Sequence, residues 1–396
     1  MFNLKKQIKI KGIRNDDSMS SKLKLCIFPN DPIITYYNKG EIKERYYNPK
    51  DTFDEIHIIS FSEKDIEESK VQTIAGKATL KIHQVGKIKI NERSKNLSQI
   101  LDLVRTINPD IIRAYNPLVE GWFAAKCSHE LGVPLFVSLH IQYDILRKHY
   151  KKTNFKRYLA LKYTEKFVEP FVLQTASKIT IVYRIIEPYV MKNKAVKPEL
   201  LYNRIEVQRF SNVEPLPNMP KPLIISVGRL TEQKNHRCII EAMKKINGHL
   251  LIIGDGELYD SLNKLIKDIS VKEKITIIRS VPNKEIQRFY KTADIFALAY
   301  DPALEGIPIP VIEAMASGLP VVIPFPKKEY SDGLENIAIF SERDPLSFSK
   351  NINMLLNNSE LRDDFCKKSF DKAKEFDNSI IEKRESEIYL ELLNKR

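Results

Sequence analysis

The chain has 396 residues, 43% of them hydrophobic, enough for two domains with real cores and too apolar for a disordered chain. No apolar run reaches the roughly 20 residues that a membrane-spanning helix needs, and the stretch from Met1 to Arg14 alternates Lys with Ile and lacks a signal-peptide core. The net charge of +13 belongs to one half: residues 1–200 hold 35 Lys+Arg against 22 Asp+Glu, and residues 201–396 hold 29 against 29. Two such halves imply different surfaces and different partners.

Residues 1–21 read as a basic lead-in, with Met19 as an alternative start. From about residue 22 onward, strand-like runs alternate with helical patterns. The clearest runs are Leu23–Phe28, Glu55–Ser60, Asp110–Ala114, Leu135–Leu139, Lys178–Val182, Leu223–Val227, His249–Ile253, Ile275–Ile278, Ile295–Ala299 and Pro320–Ile323. They are continuous Ile/Val/Leu runs, as parallel strands buried on both faces should be. Amphipathic segments such as Cys238–Ile246 and Lys284–Thr292 lie between them. This alternation predicts parallel sheets with right-handed crossovers. Asn212–Pro222, with four prolines at 215, 217, 220 and 222, is the expected linker where the charge balance changes. The expected division is an N-terminal Rossmann-like domain over 22–205, a linker over 206–222, and a C-terminal Rossmann-like domain from 223 to 375. Ligands in doubly wound folds bind beyond the C-terminal ends of the strands, so the residues just after each strand are the candidates.

In the N-terminal half, Asn38–Pro49 carries a single glycine, Gly40, within a charged loop. The run Val133–Leu139 ends at His140 and delivers it to the cleft edge. Residues 147–166 then hold Arg147, Lys148, Lys151, Lys152, Lys156, Arg157, Lys162 and Lys166 against Glu165 alone, interleaved with Tyr150, Phe155, Tyr158, Leu159 and Tyr163. Such a segment suits an anionic membrane surface, at roughly 1 kcal/mol per cation near it. The alternative is a solvated helix face whose aromatics pack inward. No nucleic-acid recognition module accompanies the run, so nucleic acid is not an expected partner.

The C-terminal half holds the sharper signals. In Ser226–Asn235 a strand runs into Gly228, then a polar loop with Arg229 and Lys234, then a helix beginning near His236. Arg229 can grip phosphate oxygens as a fork and Lys234 can add a mobile charge; the stretch also reads as two solvated loop cations. Leu251–Leu258 places Gly254-Asp255-Gly256 after a strand, and it lacks the third glycine of a dinucleotide fingerprint. In Glu305–Pro320, Glu305 lies in a loop after a strand and Glu313 on the short helix that follows, which ends at Gly318. Each carboxylate can accept a pair of hydrogen bonds from vicinal hydroxyls, and a nucleotide sugar offers two such pairs. The N–H groups of Gly306, Ile307 and Ile309 lie between the carboxylates and can meet phosphate, whereas Pro308 has none.

These motifs resemble those of the family 4 retaining glycosyltransferases of the GT-B fold, the glycosyl transferases group 1. The E-x7-E pair at Glu305 and Glu313, the run Gly228-Arg229-Leu230 to Gln233-Lys234-Asn235, Gly254-Asp255-Gly256 and Ala293-Asp294 occur in the family's order over residues 223–324. The resemblance implies that Gly228, Arg229, Lys234, Gly254, Glu305, Gly306, Ile307, Ile309 and Glu313 bind the donor. Arg229 and Lys234 would contact its diphosphate, Glu305 the transferred sugar and Glu313 the ribose. It also implies that His140 lies near the donor sugar, as a catalytic residue with Glu305, Arg229 and Lys234, and that 376–396 forms a helix returning to the first domain. Two departures are visible. Arg204, in Leu201-Tyr202-Asn203-Arg204-Ile205, replaces a family glycine, and the Gly-rich loop usual after the first strand is not clearly present.

The expected function is metal-independent transfer of a sugar from a nucleotide-diphosphate sugar to a glycan or lipid-linked hydroxyl acceptor. No cofactor is expected beyond the nucleotide sugar itself. The alternatives are a GT-B nucleotide-sugar epimerase and a non-catalytic binding protein of the same fold. Four scattered cysteines, Cys26, Cys127, Cys238 and Cys366, point to a reducing cytoplasmic location, and the basic-aromatic run at 147–166 adds peripheral contact at the inner face of the membrane as an expectation.

Overall fold

The computed structural model describes residues 22–395, so the lead-in expected over 1–21 lies outside the described residues. The first sheet has seven parallel strands: β1 (Lys24–Phe28), β2 (Glu55–Ser60), β3 (Thr79–Gln84), β4 (Ile111–Ala114), β5 (Leu135–Leu139), β6 (Lys178–Ile181) and β7 (Glu199–Leu200). Their order is β3-β2-β1-β4-β5-β6-β7. The second sheet has six: β8 (Leu223–Val227), β9 (His249–Ile253), β10 (Ile275–Ile278), β11 (Ile295–Ala297), β12 (Val321–Pro324) and β13 (Ile339–Ser341), in the order β10-β9-β8-β11-β12-β13. Chain direction across each sheet reverses beside its first strand, between β1 and β4 and between β8 and β11, which opens a crevice at the strand ends. Two such doubly wound domains are the GT-B fold.

Each of the ten apolar runs forms a strand, because a strand covered by helices on both faces must be apolar throughout. Strands β3, β7 and β13 were not legible in that pattern. β3 alternates exposed and buried residues over most of its length at the sheet edge, and β7 has two residues.

Within 206–222, Val207–Ser211 forms a helical turn whose Val207 and Phe210 sit in the core of the C-terminal domain. Farther along, the Leu216 N–H donates to Thr292 Oγ1 at 2.7 Å, so this stretch is packed rather than free. The C-terminal helix Asn378–Leu393 crosses back and buries Ile388, Tyr389 and Leu392 in the N-terminal core. Arg113 of β4 anchors it, donating to Glu385, to the Tyr389 hydroxyl and, at 3.0 Å, to Ser138. The two chain crossings lie side by side: Ile205 N–H donates to the Phe376 carbonyl at 3.0 Å and Asn378 N–H to the Ile205 carbonyl at 2.7 Å. That paired crossing is the covalent axis about which the domains face each other.

Candidate functional site

The loops after β8 and β9 are built against each other. Gly228 N–H donates to the Ile253 carbonyl at 3.0 Å and Leu230 N–H to the Asp255 carbonyl at 2.9 Å. A Cβ on Gly254 would collide with the Gly228 carbonyl oxygen, so this glycine is required by the close approach of two backbones. Buried His236 completes the support, with its ring nitrogens 3.1 Å from Ser226 Oγ and 3.2 Å from the Gly228 carbonyl. The effect is a rigid turn that presents Arg229 and Lys234. Arg229 is exposed and makes no side-chain hydrogen bond or ion pair among the described residues. Lys234 is buried, and its ammonium lies 2.5 Å from Glu305 Oε2, which Gln233 Nε2 also approaches at 3.3 Å.

Glu305 therefore sits beside a cation in the loop that leads to the helix Ile309–Ala316. Proline is tolerated at 308 and 310 because the first helical turn has no intrahelical use for those N–H groups. The N–H groups of Gly306 and Ile307 carry no hydrogen bond among the described residues. Gly306 is pressed against Tyr183 of the N-terminal domain, where a Cβ would lie 2.6 Å from the tyrosine ring. Glu305, Gly306 and Ile307 line a narrow crevice with Tyr300 and Asp332. Burial raises the Asp332 carboxyl to about 6, although Arg184 lies 3.6 Å away and the Tyr202 hydroxyl 3.3 Å.

Glu313 and Ile309 face a different space, an interdomain cavity of about 410 Å³ that His140 also lines. The Tyr290 hydroxyl donates to Glu313 Oε2 at 2.9 Å, while loss of water raises the carboxyl above its ordinary range. His140 is half-buried, and burial together with the nearby Arg113 guanidinium pushes its imidazole down to about 4. It is therefore neutral at pH 7. The structure thus separates the expected residues into two neighbouring groups: Glu313, Ile309 and His140 on the cavity, and Lys234, Glu305, Gly306 and Ile307 on the crevice, with Arg229 exposed on the supporting loop. Sequence reasoning missed Lys43, Arg209 and Asn283, which also line the cavity. No single-residue pattern marks them; their positions depend on how the domains meet. Asn203 and Arg204, from the run that departs from the family's pattern, line it as well.

The basic segment forms two helices, Tyr143–Thr153 and Phe155–Phe167. Arg147 does not belong to the surface patch: it is buried, donating to Glu169 at 2.8 Å and to Asp144 at 2.6 Å. Glu165 is the one carboxylate within 147–166, but Asp144 and Glu169 from outside the run also oppose its cations. The aromatics do not all turn inward. Phe155, Leu159, Tyr163 and Phe167 are 60%, 53%, 40% and 53% exposed. Among the described residues, no helix is long and apolar enough to cross a membrane.

Residues 207–372 match the family model of the glycosyl transferases group 1. That stretch, most of the C-terminal domain, is a glycosyl transferases group 1 domain. An uncharacterized glycosyltransferase of Methanocaldococcus jannaschii is 27% identical over 267 residues, covering 59% of this chain and 63% of that protein. The Campylobacter jejuni N-acetylgalactosamine-N,N'-diacetylbacillosaminyl-diphospho-undecaprenol 4-alpha-N-acetylgalactosaminyltransferase is 28% identical over 202 residues, covering 48% of this chain and 54% of its own length. The matches thus span less than two thirds of these relatives. HepE of Anabaena, solved in complex with UDP-glucose, superposes with a TM-score of 0.67 at 14% identity, over 93% of this chain and 100% of the other. Within the matched stretch the family's motif positions lie beyond the C-terminal ends of the strands of the second sheet.

Proposed function

We propose that the chain is a retaining, family 4 type glycosyltransferase that moves a sugar from a nucleoside-diphosphate sugar to a hydroxyl acceptor. The observation that carries this reading is the loop–helix unit with Glu305 at one end, Glu313 at the other, and the unbonded N–H groups of Gly306 and Ile307 between them. In the proposed complex, Glu313 accepts from the ribose hydroxyls and the N–H groups and Arg229 hold the diphosphate. Lys234 divides its charge between Glu305 and the departing phosphate, and Glu305 accepts from the transferred sugar. Neutral His140 meets the sugar from the other domain as a hydrogen-bonding group. The bond from the anomeric carbon to the β-phosphate oxygen breaks. The acceptor oxygen bonds to that carbon with the configuration retained, and the acceptor's proton leaves with the nucleoside diphosphate. Positive charge on Arg229 and Lys234 suits a metal-independent departure.

The test is product analysis. Sugar nucleotides are first screened by thermal shift, since a ligand that binds the folded state raises its melting point. Each hit is then incubated with and without an acceptor. Transfer with an unchanged anomeric configuration by NMR is expected; an inverted product would refute retention. Conversion of the sugar nucleotide alone would favour an epimerase.

We further propose that the first domain docks on an anionic membrane, at the inner face, to reach a lipid-linked acceptor. The exposed residues Phe155, Leu159, Tyr163 and Phe167 recur every fourth position and form a stripe along one helix, with Lys156, Lys162 and Lys166 exposed beside it. An apolar stripe edged by cations fits the boundary between lipid headgroups and acyl chains. The relative named for a diphospho-undecaprenol-linked substrate supports a lipid-linked acceptor. Co-sedimentation with neutral and acidic vesicles tests this, comparing wild type with a variant in which Lys148, Lys151, Lys152 and Lys156 are Ser. Binding should need acidic lipid, fall with salt and fall in the variant. Equal sedimentation of the two proteins would remove the docking role.

A further inference from the structure

One cation in the interdomain cavity has no structural use. Lys43 lies in the loop that follows the helix Ile33–Asn38 and lines the cavity from the N-terminal side, with Glu313 among the charges that act on it. Its ammonium makes no hydrogen bond and no ion pair among the described residues. The other cations there are engaged. Arg209 donates to the Asn283 carboxamide oxygen at 2.8 Å, and Arg204 to the Arg45 carbonyl at 3.0 Å. The loop is also tied to the opposite domain, because Asn283 Nδ2 donates to the Gly40 carbonyl at 3.0 Å. Residues 40–43 therefore run beside the domain boundary, pinned at one end by the C-terminal domain and bearing a free ammonium at the other.

We propose that Lys43 binds a phosphate of the donor nucleotide, so that the N-terminal domain supplies a cation to a diphosphate site otherwise built from the C-terminal one. The inference rests on the donor reading above. If Glu313 holds the ribose hydroxyls, the α-phosphate lies only a methylene and an oxygen from the ribose ring. A flexible lysine reaching into the same cavity can meet it there. Placing an unpaired ammonium in a partly dehydrated cavity is unfavourable, and burial indeed lowers the Lys43 pKa. An anionic ligand reverses that cost with charge-assisted hydrogen bonds. Because the loop is latched at Gly40, the contact couples phosphate binding to apposition of the two domains.

The experiment is calorimetry with UDP, GDP and ADP and with uridine, guanosine and adenosine, on wild type, Lys43→Gln and Lys43→Arg, with melting curves to check folding. For the diphosphate that binds wild type, Lys43→Gln should weaken affinity by about ten-fold or more, in the range of a charge-assisted contact. Its nucleoside should bind as in wild type, and Lys43→Arg should recover most of the loss. A merely structural lysine would shift nucleoside and nucleoside diphosphate together, and that result overturns the proposal. Equal diphosphate affinity in Lys43→Gln and wild type overturns it too, while leaving the donor site intact. Wild type that binds none of the three diphosphates would refute the donor reading itself, and the role of Lys43 with it.

Discussion

Replacing Glu313 by Gln should separate stability from binding, with opposite or unequal effects on the two. The carboxyl is half-buried, its charged form is disfavoured by lost hydration, and its structural partner is the Tyr290 hydroxyl at 2.9 Å. Glutamine keeps the shape, and its amide oxygen still accepts from Tyr290. Removing the charge removes a desolvation cost, so the folded state should be unchanged or gain less than about 1 kcal/mol. Ribose binding should suffer. A hydrogen bond to a charged group contributes about 1.5–3 kcal/mol, and a neutral amide keeps part of it. A loss of about 2 kcal/mol corresponds to roughly 30-fold in Kd, at about 1.4 kcal/mol per decade. Urea unfolding measures the first quantity, and calorimetry with the nucleoside diphosphate measures the second. Binding within about three-fold of wild type would refute the ribose role. A loss of more than about 2 kcal/mol of stability would show instead that the charge supports the fold.

Glu305→Gln should lower transfer about ten-fold or more, read as turnover at saturating donor; wild-type turnover would remove Glu305 from the site. Arg229→Ala should erase most of the preference for nucleoside diphosphate over nucleoside, measured by calorimetry, while leaving unfolding unchanged because the exposed side chain has no partner among the described residues. Stability should fall on acidification below about pH 6.5. His83, His140 and His236 are each pushed by burial to about 4, against about 6.5 in the unfolded chain. Between those values the unfolded state binds more protons, so stability is full above the window and lost as pH falls through it. Asp332, raised to about 6, acts in the opposite sense, its contribution being lost as pH rises through the window above its unfolded value. His57 and His249 are shifted in the same direction as these three, and the five histidines together outweigh Asp332 with the raised carboxyls of Glu120 and Glu313; a melting point higher at pH 5 than at pH 7 would contradict this account.

The sequence by itself determined the fold class and the motif positions. Continuous apolar runs such as Leu223–Val227 can be stable only as strands covered on both faces, and the alternation with helices then dictates parallel sheets. The residues immediately after those strands were legible because a doubly wound sheet places them at one edge. The edge strands were less legible: β3 is covered on one face, and its alternating pattern mixes with that of loops and short helices. Tertiary structure alone decided which candidates share a space. Glu305 and Glu313 are eight residues apart, yet one faces Lys234 in a crevice and the other the wider cavity, because the helix between them turns their side chains apart. It also decided that Arg147 is a buried partner of Glu169 rather than a surface charge. Charge counting cannot see this, since the neutralising carboxylate arrives from the next helix. Lys43 and Arg209 are far apart in the chain and meet only where the two domains close. That they share a cavity with Glu313 is a property of the interface, and local sequence carries no record of it.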